Sequence, residues 1–485
     1  MWRLLFLWSC LFQSGYSSPG VMIRVSQKWL DYVRSEGIEV LRHILMKETL
    51  PSINGTTRMF GKVNYSISGV LIEEFEISRV SAVPNPPADV LVTGEEARVK
   101  VYGRWNVKHW LINDNGSFTL LLSGVFITAR LNTFKDATGR PSVLLSACHS
   151  EIKHAKLHLT GGASWFYNLF TVFLERPIRD NVNKKLCPKM DEAVGVLQKE
   201  LATFQVTSYV DTVTELNYTL INPPHVEKTH IDLDLKGTVH PIGSSKEDPP
   251  PKTVITLPEG RGSMMYVGFS EYFFNSLGRN YFLSDVLKMT LTHEQFPHAF
   301  WLRTGDYGAI IPKIRDYYPV SQAMILTIRA TKVPLVTLTP RNITLEMTGL
   351  LQGMVVLPYL ITNQLFSFSM AATFIADKVH LSGLNLGVSF AIERLKFFDF
   401  KSSVGDIDIA ALESSLGHSL QESVLQGIND GLRKGIPMPT LVNISLQESA
   451  ITVTQGCLLV SMDMYYVPWR DLMDMVPPRQ HILVS

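Results

Sequence analysis

Hydrophobic periodicity runs through one order twice along this chain: helix, alternating strands, long helix, then, past a proline-rich break, the same again. A chain so patterned must build two similar units, each with a sheet and the helices that cover it. In the first unit, Leu30, Val33, Gly37, Leu41 and Ile44 recur at spacings of three and four, which predicts a helix over 26–48. From about 60 to 160 the period becomes two. Phe118, Leu120, Leu122, Gly124 and Phe126 alternate, and the intervening Leu121, Val125 and Ile127 are apolar too, as in strands covered on both faces. A second helical tract, about 163–205, carries Trp165, Leu169, Phe173, Val182, Leu186, Met190, Val194, Leu197 and Leu201, and Pro177 should kink or divide it.

Residues 241–258, with Pro249-Pro250-Pro251, read as a stiff, unpacked linker between a module at 18–240 and another at 259–485. The second module repeats the order. A helix from Ser270 to Leu287 precedes strands at about 300–400, where Phe366, Phe368, Met370, Ala372 and Phe374 alternate. A helix at 405–434 follows, lined by Leu412, Leu416, Leu420, Val424, Ile428 and Leu432, and a last strand spans 441–466. The fold class is α+β, with long, twisted antiparallel sheets.

Met1-Trp2-Arg3, the apolar run Leu4 to Phe12 and small residues at Gly15 and Ser17 have the form of a secretory signal, cleaved after Ser17. The expected destination is extracellular. Sequons at Asn54, Asn64, Asn115, Asn217, Asn342 and Asn443 agree with it, although Asn64 sits in strand-like sequence that would restrict a glycan. Beyond the signal, Cys148, Cys187 and Cys457 remain. A bridge between the first two would close a loop of about 40 residues, contribute roughly 4 kcal/mol, and staple helix to sheet. Cys457, in an apolar run, reads as a buried free thiol.

The 45 basic residues nearly balance 44 acidic ones, which argues against a nucleic-acid partner. Catalytic signatures are missing as well. Gly268-Phe269-Ser270-Glu271-Tyr272 lacks the second glycine of a nucleophile elbow, and His293-Glu294 meets His298 one residue too late for a zinc pair. Asp232/Asp234 and Asp406/Asp408 read as solvated faces. The expectation is a protein without enzymatic activity, metal or cofactor, whose apolar stripes are either core or the walls of a lipid cavity.

Three stretches carry a resemblance. They are Pro19-Gly20-Val21-Met22-Ile23-Arg24-Val25-Ser26-Gln27-Lys28-Trp29-Leu30-Asp31-Tyr32; Met265-Tyr266-Val267-Gly268-Phe269-Ser270-Glu271-Tyr272-Phe273-Phe274-Asn275, continuing to Val286-Leu287-Lys288-Met289-Thr290-Leu291; and Leu432-Arg433-Lys434-Gly435-Ile436-Pro437-Met438-Pro439. Together they resemble the bactericidal/permeability-increasing and lipopolysaccharide-binding proteins, relatives of the phospholipid and cholesteryl-ester transfer proteins. The Cys148/Cys187 spacing fits that family's single disulfide. The resemblance implies an elongated boomerang of two barrel-like modules joined by a central sheet, with a phospholipid in an apolar pocket of each. Leu30, Val33 and Leu41 would line the first pocket, and Leu416, Leu420 and Val424 the second.

It also implies a basic tip for lipid A, at Arg58, Lys62, Arg104 and Lys108, with His109 adding charge in mild acid. Antibacterial members carry more Lys and Arg there, where this chain has Asn106, His109 and Asp114. Trp105 and Trp110 would instead enter a lipid surface. Three functions follow from the likeness: binding of lipopolysaccharide or phospholipid in defence against Gram-negative bacteria; phospholipid transfer between membranes or lipoproteins, favoured by the neutral balance and the tail Val467 to Met475; or a lipid-filled structural protein of secretions.

Overall fold

The structure is a computed structural model, which describes residues 18–58, 62–108, 113–164, 168, 171–244, 254–259, 262–292, 302–420, 425–442 and 444–466. Residues 1–17, where the signal is expected, residues 245–253 of the proline-rich segment and the tail after Tyr466 lie outside the described residues.

The polypeptide forms two seven-stranded antiparallel sheets, one per half, with a six-stranded sheet between them. Neither large sheet closes into a barrel: each ends on a two-residue strand, Thr49–Leu50 in the first half and Ile436–Pro437 in the second. The central sheet is shared. Strand Val21–Ser26 pairs on one side with His230–Leu235 and on the other with Met265–Ser270, which continues to Cys457–Tyr466 and Ile444–Thr454.

Helix α1 spans Gln27–Lys47. Its N-cap Ser26 makes no side-chain cap; the hydroxyl instead donates to the Ser263 carbonyl, 2.8 Å away in the other half. Helix α2 spans Val172–Leu201 without division, although Pro177 and Pro188 both lie inside it. Helix α3 spans Glu271–Leu283. The expected helix of the second half is described over Ile409–Ser419 (α4) and Leu425–Leu432 (α5), and residues 421–424 between them lie outside the described residues. A spacing of four advances 40° per step around a 3.6-residue helix, so a line held at that spacing leaves the buried face. Burial passes from Leu412, Leu416 and Leu420 to Leu425. The expected last strand is in fact two strands, a hairpin turning at Gln455-Gly456 with Gly456 at φ +72°.

The strands of the first sheet are not covered on both faces. Phe118, Leu120 and Leu122 are buried, and then Val125, Ile127 and Ala129, while Leu121 is 50% exposed. Gly124, at φ +64°, absorbs one extra residue: Val99 faces Leu122, but Ala97 faces Val125. This bulge shifts the alternation by one, so an apolar run without strict period still serves one face. Beyond it the inner face joins α2 in a distal core, where Phe118, Leu120 and Ile67 meet Ile178, Val182 and Leu186. The second sheet packs Phe366 and Phe368 against Leu412, Leu416 and Leu420.

Two expectations fail at the central sheet. Asp232 is not solvated; it is 7% exposed and accepts from Arg24 Nε at 2.8 Å and Nη2 at 2.7 Å. The hydropathy of a buried ion pair is that of a surface one, so alternation alone misassigns it. Asp234, half-buried beside it, is pushed above the usual carboxylate range by burial and by the charge of Asp232. The end of the proline-rich segment is packed rather than free: Ile255 and Leu257 bury against Tyr266 and Cys457, and Arg24 Nη1 holds the Leu257 carbonyl at 2.9 Å. Asp408 is exposed and caps α4, accepting from the Ala411 amide.

Cys148 and Cys187 are bridged, with Cα atoms 5.7 Å apart, joining strand Pro141–Thr160 to α2. Cys457 is free and buried, and burial pushes its thiol up to about 11. Non-reducing peptide mapping should therefore recover one linked Cys148–Cys187 pair. Cys457 should resist alkylation at pH 8 until the chain is unfolded, because the thiolate is the reactive form. Native labelling at a normal thiol rate would contradict this.

Candidate functional site

Beneath α1 the first half encloses an apolar cavity of about 260 Å³. Its roof is one face of α1, with Trp29, Leu30, Val33, Gly37, Ile38 and Leu41. Its far wall is α2, with Met190, Val194, Leu197 and Leu201. The sheet contributes Val90, Val92, Ile127 and Leu131, and the central sheet contributes Ile23, Val25, Ile231 and Leu233. The lining is almost wholly hydrocarbon. Gly37 matters here, because a Cβ at that position would meet no atom within 4 Å; the helix has its smallest residue where it faces the cavity.

Leu30, Val33 and Leu41 all line the cavity, whereas Val182 and Leu186 on the expected stripe of α2 belong to the distal core. Sequence reasoning missed the floor supplied by the second half: Pro439, Leu441, Ile444 and Met464. The Gln205 amide donating to Thr440 at 3.0 Å brings that segment across. Apolar residues after Pro437-Met438-Pro439 are visible in the sequence, but only the fold shows which module they serve.

A polar vestibule of about 540 Å³ adjoins the cavity at Arg34, Ile38, Ile77 and Val80. Ser35, Ser78, Arg79, Ser81, Thr93 and Glu95 complete it. Arg34 marks the boundary, its Nη1 donating to the Val80 carbonyl at 3.0 Å and lying 3.5 Å from Asp31. A chamber with a hydrocarbon interior and a vestibule of cations, hydroxyls and one carboxylate suits an amphipathic molecule. Among the described residues, no group of three or more His, Cys, Asp or Glu is placed to hold a metal ion.

At the far end of the first sheet, Arg104 and Lys108 are exposed on its outer face. Trp105 alternates with them and points inward at 2% exposure, its Nε1 donating to the Ser117 carbonyl at 3.0 Å. Its expected entry into a lipid surface is therefore corrected: the alternation that exposes Arg104 buries Trp105. Arg58 and Lys62 face each other across the adjoining hairpin by backbone register. The side chains of those two, and His109 and Trp110 entirely, lie outside the described residues.

Asn54, Asn64 and Asn115 are exposed on strands, so the strand setting does not hide Asn64. Asn217 instead holds its own sequon threonine, accepting from the Thr219 amide at 3.0 Å and hydroxyl at 2.8 Å. Asn342 is half-buried and Asn443 lies outside the described residues.

In the second half, Leu416 and Leu420 are 2% and 4% exposed within a packed core, and the cavity under α1 does not reach them. Val424 lies outside the described residues.

The family model for the N-terminal domain of LBP / BPI / CETP proteins matches residues 29–217, and the model for their C-terminal domain matches 208–466. The chain belongs to the LBP / BPI / CETP family. It is 30% identical to the BPI fold-containing family C protein of Mus musculus, over 96% of this chain and 93% of that protein. It is also 30% identical to the bactericidal permeability-increasing protein of Sebastes schlegelii, over 93% of this chain and 96% of that one. The crystal structure of a lipopolysaccharide-binding protein shares the fold, with TM-score 0.67 and 24% identity over 93% of this chain and 99% of that one. The two domains of the LBP / BPI / CETP family thus meet near 208–217, before the proline-rich segment. In this member the central sheet draws strands from both.

Proposed function

We propose that this chain is a secreted, non-enzymatic lipid-binding protein that takes the acyl chains of lipopolysaccharide or phospholipid into the cavity under α1, and that it serves in defence against Gram-negative bacteria. The single observation that carries this reading is the hydrocarbon cavity bordered by a polar recess at Arg34, Ile38, Ile77 and Val80. Each methylene buried there contributes about 0.8 kcal/mol. Arg34 and Arg79 supply cations for a phosphate at the vestibule, so the headgroup keeps polar partners while the chains leave water. No bond needs to form or break; binding works by extraction and docking. Membership of the LBP / BPI / CETP family, and relatives named for lipopolysaccharide binding and bactericidal action, support the substrate class. Among the described residues no helix is long and apolar enough to cross a membrane.

The weakly basic tip favours a second reading, phospholipid transfer. Its basic candidates number four, Arg58, Lys62, Arg104 and Lys108, and exposed ion pairs contribute only about 0.2–1 kcal/mol each. One set of variants tests both readings. Gly37→Phe should place its ring in the cavity, keep the fold, and lower severalfold the lipid recovered with the purified protein by mass spectrometry. Gly37→Ala, which leaves the space open and favours the helix by about 1 kcal/mol, should retain it. Unchanged lipid in Gly37→Phe would remove the cavity from the mechanism. Arg104→Ala/Lys108→Ala should weaken lipid A binding and flatten its salt dependence. If that variant binds lipid A like the wild type while vesicle-to-vesicle phospholipid transfer proceeds, the transfer reading replaces the first.

A further inference from the structure

At the far end of the second sheet, strands Asn342–Val356 and Thr362–Ser382 form a hairpin whose last pair is Val356 and Thr362. The turn between them is closed by the Leu357 amide donating to the Ile361 carbonyl at 2.8 Å. Its side chains point away from the protein: Tyr359 is 96% exposed, Leu360 85% and Ile361 56%. Tyr359 and Leu360 also hold φ of +64° and +60°, a region that bulky L-residues seldom adopt. Glycine or asparagine would relieve that backbone and make the turn soluble. This turn instead presents three large apolar groups in succession, against the usual composition of an exposed hairpin.

The hairpin's own sequence is of the same kind. From Met347 to Ala376 the sequence has no charged side chain. Strand Ala323–Ala330 begins opposite Val356, so the segment leading into it lies at the same end, and there Tyr317 is 58% exposed and Val320 70%. A three-residue turn is far smaller than the roughly 800 Å² per partner that a stable protein interface covers. A narrow apolar wedge capped by a tyrosine does fit the boundary between headgroups and acyl chains, where an aromatic ring with a polar end is favoured. We infer that the Tyr359-Leu360-Ile361 turn inserts into a phospholipid surface and anchors the second half there, at a site separate from the cavity under α1 and from the basic tip of the first sheet. The turn itself is uncharged and needs no anionic lipid, while the exposed Arg303, Arg315 and Asp316 at the same end are of mixed sign.

The test uses the full chain with phosphatidylcholine vesicles in a flotation assay at low and high salt. The wild type should float with the vesicles to the same extent at both. The triple variant Tyr359→Ser/Leu360→Ser/Ile361→Ser should partition about tenfold or more weakly, since three apolar side chains no longer leave water. Its thermal midpoint and its content of co-purified lipid should match the wild type, because the turn touches neither core nor cavity. As a readout independent of folding changes, Leu360→Cys carrying an environment-sensitive fluorophore should shift to the blue when vesicles are added; the buried Cys457 does not compete for the label. Equal flotation of the triple variant, or a label that does not move, would overturn the inference. Unchanged co-purified lipid in Gly37→Phe with turn-dependent flotation intact would leave the inference standing while removing the proposed cavity function.

Discussion

Replacing Arg24 by alanine is expected to destabilise the protein by about 3–5 kcal/mol, the cost of leaving a buried carboxylate with only the His230 imidazole, 3.4 Å away, beside it. The side chain of Arg24 is 12% exposed and that of Asp232 9%, and both oxygens of Asp232 are held by the guanidinium. Three segments depend on that side chain: its own strand Val21–Ser26, the strand His230–Leu235, and the chain at Leu257 whose carbonyl it also holds. Urea denaturation followed by circular dichroism should show the loss. The double variant Arg24→Met/Asp232→Leu should recover most of it, since no charge then remains to desolvate. If Arg24→Ala alone is within 0.5 kcal/mol of the wild type, to the order of a surface substitution, the pair is not the clamp described.

Leu420→Asp is expected to have an effect of similar size, confined to the second half. Leu420 is 4% exposed in the core that joins α4 to Phe366 and Phe368. An aspartate there loses the packing, at about 2–5 kcal/mol for the truncation alone, and adds an unpartnered carboxylate. Limited proteolysis should then cut within residues 302–420 while the disulfide-linked first half persists. A denaturation curve that was one transition should split. A variant as stable as the wild type would mean that α4 does not face that core. Leu420→Phe, which would compete with lipid if Leu420 lined a pocket, should act only as an overpacked core residue, costing about 1–3 kcal/mol.

The regular elements were legible because their buried faces obey one period. The stripe from Leu30 to Leu41 names both α1 and the cavity wall, and the alternation around Phe366 names the second sheet. The three matched stretches at Pro19, Met265 and Leu432 point to the family, and with it to the Cys148–Cys187 bridge. What escaped was wherever a local irregularity resets the period or a partner comes from far along the chain. Gly124 turns an apparently two-faced strand into a one-faced strand. Gln455-Gly456 reads as two more residues of a strand until its pairing is known. Asp232 looks like a surface carboxylate because Arg24, its partner, is more than two hundred residues away. Trp105 shows the converse: an aromatic between two cations suggests a membrane tip, yet strict alternation sends it inward.

The shared central sheet has a consequence for the order of assembly. Strand Val21–Ser26 is made early in synthesis, but one of its neighbours is Met265–Ser270, and that strand waits in turn for Cys457–Tyr466 near the chain's end. The first sheet and its covering helix draw only on nearby sequence and can form while the ribosome is still translating. For most of that time the strand at 21–26 has an unpaired edge, carrying Val21, Ile23 and Val25, which are all buried in the finished molecule. Such an edge is open to pairing with other chains. The slow, aggregation-exposed step in making this protein is therefore the closing of its middle.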